Sequence, residues 1–444
     1  MLQLNSCTLH CKFTIITLQS KFMPTLLKRT PKKNVAKSQP ETQLLSIRKE
    51  DSFSALEKNQ MRNSEMSDLA PWEAWTVLGS NKDLAYATHG VFRFFGKFPP
   101  PIATYLMSTY TVPGDTVIDP MCGSGTTGVE AILLQRKAYL SDVSPLSLLL
   151  AKVKTTPISS AKLKSALARI QKRYSSTAKT QSVFHPVGLR NLDHWFLPKT
   201  INSLKKLRSS IQEESDKDIR DFFAVIFASV VRRVSKATTQ QGRLFLDVVT
   251  AVEETLPIFV SRAEKAIEKV SALPNPKYKV EISWRDLREK VEKRAYRKAS
   301  LVILHPPYFN AYKYSSINSL ELVWLGHEYA EVRKSEVREY FKVGNPANVR
   351  YYVEDMAGAI VNAAKDLKAS GVLALMIGDT VLRGAHIPVV KMLIDKLAST
   401  DLKIEKIALR PPKFTEATWV ASQRRIGNKL GVSLCDYILI FRKR

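Results

Sequence analysis

Acid is what this sequence has too little of: 41 Asp and Glu stand against 68 Lys and Arg in 444 residues, a formal charge of +27. Residues 1–40 hold none, and include the run KRTPKKNVAK. Such a field attracts polyanions by steering and by release of their counterions. Nucleic acid is therefore the expected partner, with an anionic membrane surface second. The same leader lacks the charged, apolar, small-residue order of a secretory signal, and its one arginine, Arg29, is too few for a mitochondrial presequence. Residues 1–68 are expected to be a basic, disordered extension, with Met23 as an alternative start. Long apolar runs are missing too: none approaches the roughly 20 residues that span a bilayer, so no membrane segment is expected. Cysteine is scarce. Cys7 and Cys11 flank a lone His10 without the partners of a zinc site, and Cys122 and Cys435 stand far apart. No disulfide framework and no metal are expected, in a chain read as reducing and cytoplasmic. An apolar content of 45% with 25% charged residues is that of a globular protein.

What is there, from residue 69 on, is an alternation of strands and helices. DTVIDP (115–120) reads as a short buried strand, TTGVEAILLQ (126–135) as the helix it feeds, and KAYLSDVSP (137–145) as the next strand. KYKVEISW (277–284), ASLVILHPP (299–307), VLALMIGD (372–379), LKIEKIALRP (402–411) and CDYILIFRK (435–443) follow as strands. VEDMAGAIVNAAKDLKAS (353–370) carries Val353, Met356, Ile360, Ala364 and Leu367 on one helical face, with Gly371 as its stop. Seven strands alternating with helices make an α/β fold with an open, mostly parallel sheet. Four helical patterns rich in Lys and Arg interrupt it, from SAKLKSALARIQKRY (160–174) to VSRAEKAIEKVSAL (260–273). The expected organisation is a first sheet half at 69–150, a helical insertion at 151–275 and a second sheet half at 276–444.

DPMCGSGTTG (119–128) contains the G-x-G-x-x-G spacing of dinucleotide binders. A nicotinamide site, however, sets its first glycine directly after the strand, so that pyrophosphate meets the helix N-terminus. Here Asp119 to Cys122 intervene, and an acid at the strand tip would repel pyrophosphate. Asp119 suits a ligand with an ammonium group, such as the methionine part of S-adenosylmethionine. No lysine follows the glycines, which excludes a Walker loop. Asp142, at the next strand's tip, is placed for ribose hydroxyls, a placement that nicotinamide enzymes share.

A second motif decides between these. LVILHPPYFNAYKYSS (301–316) is a buried strand ending in His305-Pro306-Pro307-Tyr308. With DPMCGSGTT it resembles the DNA amino-methyltransferases, which methylate N6 of adenine or N4 of cytosine. HGVFRFFGKFPPPIATYLMSTYTVPGDTVIDP (89–120), YLSDVSPLSLLLAKVKTTP (139–157), ISWRDLRE (282–289), VLALMIGDTVLRGAHIP (372–388) and DYILIFRK (436–443) extend the likeness over roughly 80–150 and 277–444. The resemblance implies a seven-stranded Rossmann-like methyltransferase sheet with a large all-α insertion, S-adenosylmethionine as cofactor and double-stranded DNA as substrate. Phe98, Asp119, Gly123, Ser124, Gly125, Thr126 and Asp142 would bind the cofactor, and Asp286 its adenine amine. In the family the motif's first side chain and the carbonyl of the next proline accept the two N–H bonds of the target amine, and the aromatic residue stacks on the extruded base. His305, Pro306, Pro307 and Tyr308 are the catalytic candidates on that reading.

His305 departs from the family, where Asp, Asn or Ser is usual. Neutral imidazole offers one acceptor and imidazolium none, so activity is expected to fall as pH drops through histidine's ordinary range. The departure leaves adenine or cytosine open. Two rivals follow: an RNA amino-methyltransferase, and an inactive DNA-binding homologue. Carbon-5 methylation would need a nucleophilic cysteine beside the motif, where none stands. The insertion and the segment 311–350 are expected to recognise the target. Tyr308, Phe309, Tyr312 and Tyr314 with Lys313 could hold the base, NLDHWF (191–196) could wedge DNA or pack, and VVRRVSKATTQQGR (230–243) could bind phosphates or end a helix. No endonuclease signature appears, so a restriction partner would be a separate protein.

Overall fold

Strands that are apolar along nearly their whole length, as ASLVIL is, bury both faces of their sheet, and here helices cover each side. The structure, a computed structural model, describes residues 44–176, 184–186, 188–189, 191–240, 243–247, 254–289, 298–309, 313–337, 346–411 and 434–444. Its strands are β1 (Leu45–Lys49), β2 (Trp72–Val77), β3 (Thr116–Asp119), β4 (Lys137–Asp142), β5 (Ala237–Gln240), β6 (Arg243–Leu246), β7 (Val280–Trp284), β8 (Ala299–Leu304), β9 (Leu367–Gly378), β10 (Thr380–Leu382), β11 (Ala385–Ile387), β12 (Leu402–Arg410) and β13 (Asp436–Lys443). The helices up to the middle of the chain are α1 (Ala55–Asn63), α2 (Pro100–Tyr110), α3 (Thr126–Leu133), α4 (Pro145–Thr155), α5 (Ser160–Ser176), α6 (Leu192–Trp195), α7 (Pro198–Gln212) and α8 (Lys217–Val231). After them come α9 (Thr255–Ser271), α10 (Tyr314–Ile317), α11 (Ser319–Leu325), α12 (Tyr329–Ser335), α13 (Val349–Ala364) and α14 (Val389–Leu397).

Nine strands form one sheet, in the order β1-β2-β12-β13-β9-β8-β3-β4-β7. β13 runs antiparallel to β9 and β12, and β1 to β2, while the other neighbours are parallel. The mostly parallel sheet expected from the sequence is present, with nine strands in place of seven. The added pair comes from the N-terminal side: β1 zips onto β2 from Leu45↔Val77 to Lys49↔Glu73, and β2 lies beside β12. Residues 44–68, expected to be disordered, therefore carry a strand and a helix, and α1 opens with a capping box of Ser54 and Glu57. Residues 1–43 of that expected extension lie outside the described residues.

Period-two alternation separates two cores. Val302 and Leu304 of β8 face the core that α13 and α14 close, with Met356, Ile360 and Leu393. Leu301 and Ile303 face the opposite core, closed by Ile102, Leu106 and Met107 of α2. α13 stops at Ala364, short of the expected Ser370, because Leu367 already pairs with Ala299 in the sheet. A third core belongs to the helical block, where Leu163, Leu207, Phe223, Phe227 and Phe259 meet. α5, from Ser160, belongs to that core, and α4, continuous to Thr155, lends it Leu146 and Leu150. No described helix is long and apolar enough to cross a membrane.

Candidate active site

The carboxyl ends of β3, β4, β7 and β8 open onto one cleft, the position where parallel sheets of this kind hold ligands. It encloses about 930 Å³, counting the space that opens to solvent. Phe98, Gly123, Ser124, Thr126, Asp142, Asp286, His305 and Pro307 all line it. Asp119, Gly125, Pro306 and Tyr308 stand outside its lining.

The glycine loop is shaped by what packs under it. Gly125 caps α3 at φ +77°, and a Cβ there would sit 2.7 Å from Cα of Ala151 in α4. The N–H of Gly123 donates to Oδ2 of Asp142 at 2.9 Å, and that of Ser144 to Oδ1 at 2.9 Å. Burial raises the Asp142 carboxyl above its usual range, although these bonds oppose the shift. The Val143 N–H and the Ser147 hydroxyl also donate to the carboxyl, so a ribose diol would bond Asp142 by sharing or displacing these donors. Asp119 turns the other way. It accepts from the Thr127 hydroxyl and from the Met121 N–H at 3.2 Å, is 1% exposed, and burial pushes its pKa up to about 7. Asp119, expected to face a ligand's ammonium, thus does not line the cleft: the tight loop folds the strand-tip acid back onto the first turn of α3.

His305 sits edge-to-face with Phe98 at 5.5 Å and with Tyr308 at 5.4 Å between ring centroids. Burial drives its pKa down to about 4, with Arg410 adding to the shift and Asp436 opposing it. The imidazole is thus neutral through histidine's ordinary range, and the expected acid limb moves to lower pH. Tyr308 bonds Asp436 through its hydroxyl, and burial raises its pKa. Its ring lies against Gly378, where a Cβ would come within 3.0 Å. The Pro307 carbonyl accepts from the hydroxyl of fully buried Tyr352 in α13 at 2.7 Å. Asp286 is paired with Arg288, whose Nη2 donates to Oδ2 at 2.6 Å.

Several lining residues were not singled out from the sequence. Phe94 is one, stacked on Tyr314 of the expected aromatic cluster at 5.9 Å and 13°, and Lys97, which donates to the His89 carbonyl at 3.1 Å, is another. Phe94 and Lys97 lie in the stretch that carried the family likeness; Glu336, which accepts from the Ser315 N–H at 2.6 Å, had no sequence signal. Of the aromatic cluster, Tyr314 reaches the cleft, Phe309 is core beneath Tyr352, and Tyr312 lies outside the described residues. Trp195 packs on the helical core and His194 is exposed beside it. Arg232 is engaged within the fold, 2.8 Å from Glu321. Cys122 lines the cleft as a buried thiol whose pKa burial raises, so it is no ready nucleophile.

Residues 22–152 match the family model described as DNA methylase, the N6/N4 type. That segment contains Phe98, the glycine loop and Asp142. That segment is similar to DNA methylases. A type II methyltransferase of Kocuria varians, M.MvaI, is 32% identical over 135 residues, which is 29% of this chain and 29% of that protein. M.MjaII of Methanocaldococcus jannaschii is 32% identical over 111 residues, 25% of this chain and 21% of that one. The chain thus spans under a third of the length of either relative. An rRNA methyltransferase from Streptomyces viridochromogenes, aviRa, shares 15% identity at a TM-score of 0.26, over 70% of this chain and 81% of that one. Asp286 and the stretch 305–308 lie outside the segment that matches the DNA methylase model.

Proposed function

We propose that this protein is a DNA methylase that transfers a methyl group from S-adenosylmethionine to an exocyclic amine of double-stranded DNA, N4 of cytosine or N6 of adenine. One observation carries the reading: Gly123, Ser124 and Thr126 after β3, Asp142 at the tip of β4 and the motif residues His305 and Pro307 at the tip of β8 line a single cleft. The residues present suit the cofactor. Asp142 stands at the strand tip as a buried acceptor in the cleft wall, the positive φ of Gly123 and Gly125 shapes a close backbone cradle, and Phe98 and Phe94 offer apolar wall. Bound there, S-adenosylmethionine supplies an electrophilic methyl on a sulfonium.

The chain's own part is to prepare the amine. An amine conjugated to a base ring holds its lone pair in the ring, and acceptors for its N–H bonds localise that pair. Neutral His305 provides one acceptor and the Pro306 carbonyl the other. Tyr352 occupies the Pro307 carbonyl and fixes the peptide that follows, so positioning and electrostatics do the catalysis. Tyr308 braces His305 from the side. The helical block from Ser160 onward and the segment around α10 to α12 would read the target sequence, and the excess of positive charge would hold the phosphates.

The test incubates purified protein with isotopically labelled S-adenosylmethionine and, separately, unmethylated double-stranded DNA and bulk tRNA, followed by digestion to nucleosides and mass spectrometry. Labelled N4-methylcytosine or N6-methyladenine from DNA is expected, and names the base. Label in RNA alone would replace the reading with the RNA rival. No label anywhere, with cofactor and DNA still bound, would make the protein a DNA-binding homologue without activity.

A further inference from the structure

One buried cation stands directly beneath the glycine loop. Lys154, in α4, has no solvent exposure, and its Nζ donates to the Ser124 carbonyl at 2.7 Å and lies 3.4 Å from the Ser124 hydroxyl. Its own carbonyl accepts from the Thr88 hydroxyl at 2.7 Å. Lys154 therefore joins three pieces of the site: α4, the loop at Ser124, and the segment that runs from Thr88 into Lys97 and Phe98. The carboxylate nearest in kind, Glu130 of α3, is engaged by His89 at 2.8 Å, Tyr86 at 2.7 Å and Thr104 at 2.7 Å.

We propose that Lys154 is a positioning residue for the cofactor: its ammonium fixes the Ser124 carbonyl and places a positive charge under the loop. The inference rests on the reading that the cleft takes S-adenosylmethionine, and goes beyond it by assigning a residue that does not line the cleft. The cleft wall carries the acids Asp142, Asp286 and Glu336. A ligand with a carboxylate of its own binds beside them more readily when a buried cation lies below. The charged and titratable groups that face Lys154 are Lys97 of the wall, Cys122 of the loop, Glu130 of α3 and, beside Glu130, His89. Burial first, and then Lys97, bring the Lys154 pKa down to about 7. The charge is accordingly lost as pH rises past neutrality, while the neutral amine still donates to Ser124.

The experiment measures binding of S-adenosylmethionine by calorimetry to the full chain, as wild type, Lys154→Gln and Lys154→Met, between about pH 6 and about pH 8.5. The ligand's own amine titrates near 7.7–8.0 as a free group and moves all three proteins together, so the gap between wild type and variant is the readout. Lys154→Gln keeps a donor for Ser124 without the charge. It is expected to bind about tenfold more weakly at the acid end, and to approach wild type within about twofold at the alkaline end. Lys154→Met loses the donor as well, so its gap narrows without closing. A gap that is absent, or constant across pH in both variants, would overturn the proposal and leave Lys154 a structural prop. Should Lys154→Met not fold, the Lys154→Gln series decides alone. Failure of the wild type to bind S-adenosylmethionine at any pH would instead remove the cofactor reading, and this proposal with it.

Discussion

His305 shows how one residue's environment changes what its type implies. A free histidine loses its acceptor as it protonates near pH 6.5, which would make it a poor stand-in for Asp, Asn or Ser. Packed against Phe98 and Tyr308, it titrates near 4 and keeps a lone pair at neutral pH. With the cofactor saturating, methyl transfer should therefore be level from about pH 5.5 to about pH 8 and fall below about pH 5. His305→Asn, whose amide oxygen accepts without titrating, should retain activity and lose the acid limb. His305→Ala should lower kcat by about 100-fold with the KM for cofactor nearly unchanged. A limb centred near 6.5 in the wild type, or an acid limb that survives in His305→Asn, would show that the imidazole is not the titrating acceptor. Residue identity was legible here, and residue chemistry was not. The sequence names His305 but not Phe98 at its edge, and it names Asp119 at a strand tip without the turn that buries it.

At the scale of elements, the site depends on how closely α3 and α4 approach the loop between β3 and α3. Gly125 is needed on two grounds: φ +77°, and an Ala151 Cα only 2.7 Å from where a Cβ would go. Gly128 of α3 is as close, with a Cβ position 2.6 Å from Leu140 Cδ1 of β4 and 2.9 Å from Thr155 Cγ2 of α4. Gly125→Ala should thus shift backbone against backbone, costing about 1–3 kcal/mol of stability and at least tenfold in cofactor affinity. Thermal melting together with calorimetry checks it, and an unchanged affinity would mean that the loop does not hold the ligand. The sequence made this element readable because strand, glycines and helix follow one another within twenty residues. The edge strands escaped. Leu45 and Ile47 of β1 alternate, as do Trp72, Ala74 and then Trp75, Val77 of β2, but each run is short and lies in charged surroundings. What identifies these runs as strands is their pairing, with each other and with β12 more than 300 residues away, and sequence-local reasoning has no access to it.

Over the whole molecule, groups near the cleft set opposing demands on pH. His89 and His305, both near 4 in the fold, stay neutral while the unfolded chain gains protons below about 6.5. Their contribution is whole above that pH and is lost as pH falls towards 4. Asp119 acts with the other sign. Its carboxyl titrates near 7 folded and about 3.9 unfolded, so the native state holds an extra proton between these values. The stability that this proton represents is present at low pH and is lost as pH rises towards 7. Asp119→Asn makes the neutral state permanent: its oxygen can still accept from Met121, and its amide can donate to the Thr127 hydroxyl. The variant should melt about 2–4 °C above wild type near pH 8 and no higher than wild type near pH 5, with the difference growing through the interval. Affinity for S-adenosylmethionine should stay within about twofold, because the carboxyl lies beneath the loop rather than in the cleft. Thermal unfolding across pH with parallel calorimetry reads both. A variant less stable at both ends would show that the ionised carboxylate supports the fold. A tenfold loss of cofactor affinity in a stably folded variant would return Asp119 to the ligand, as the charge argument from sequence first placed it.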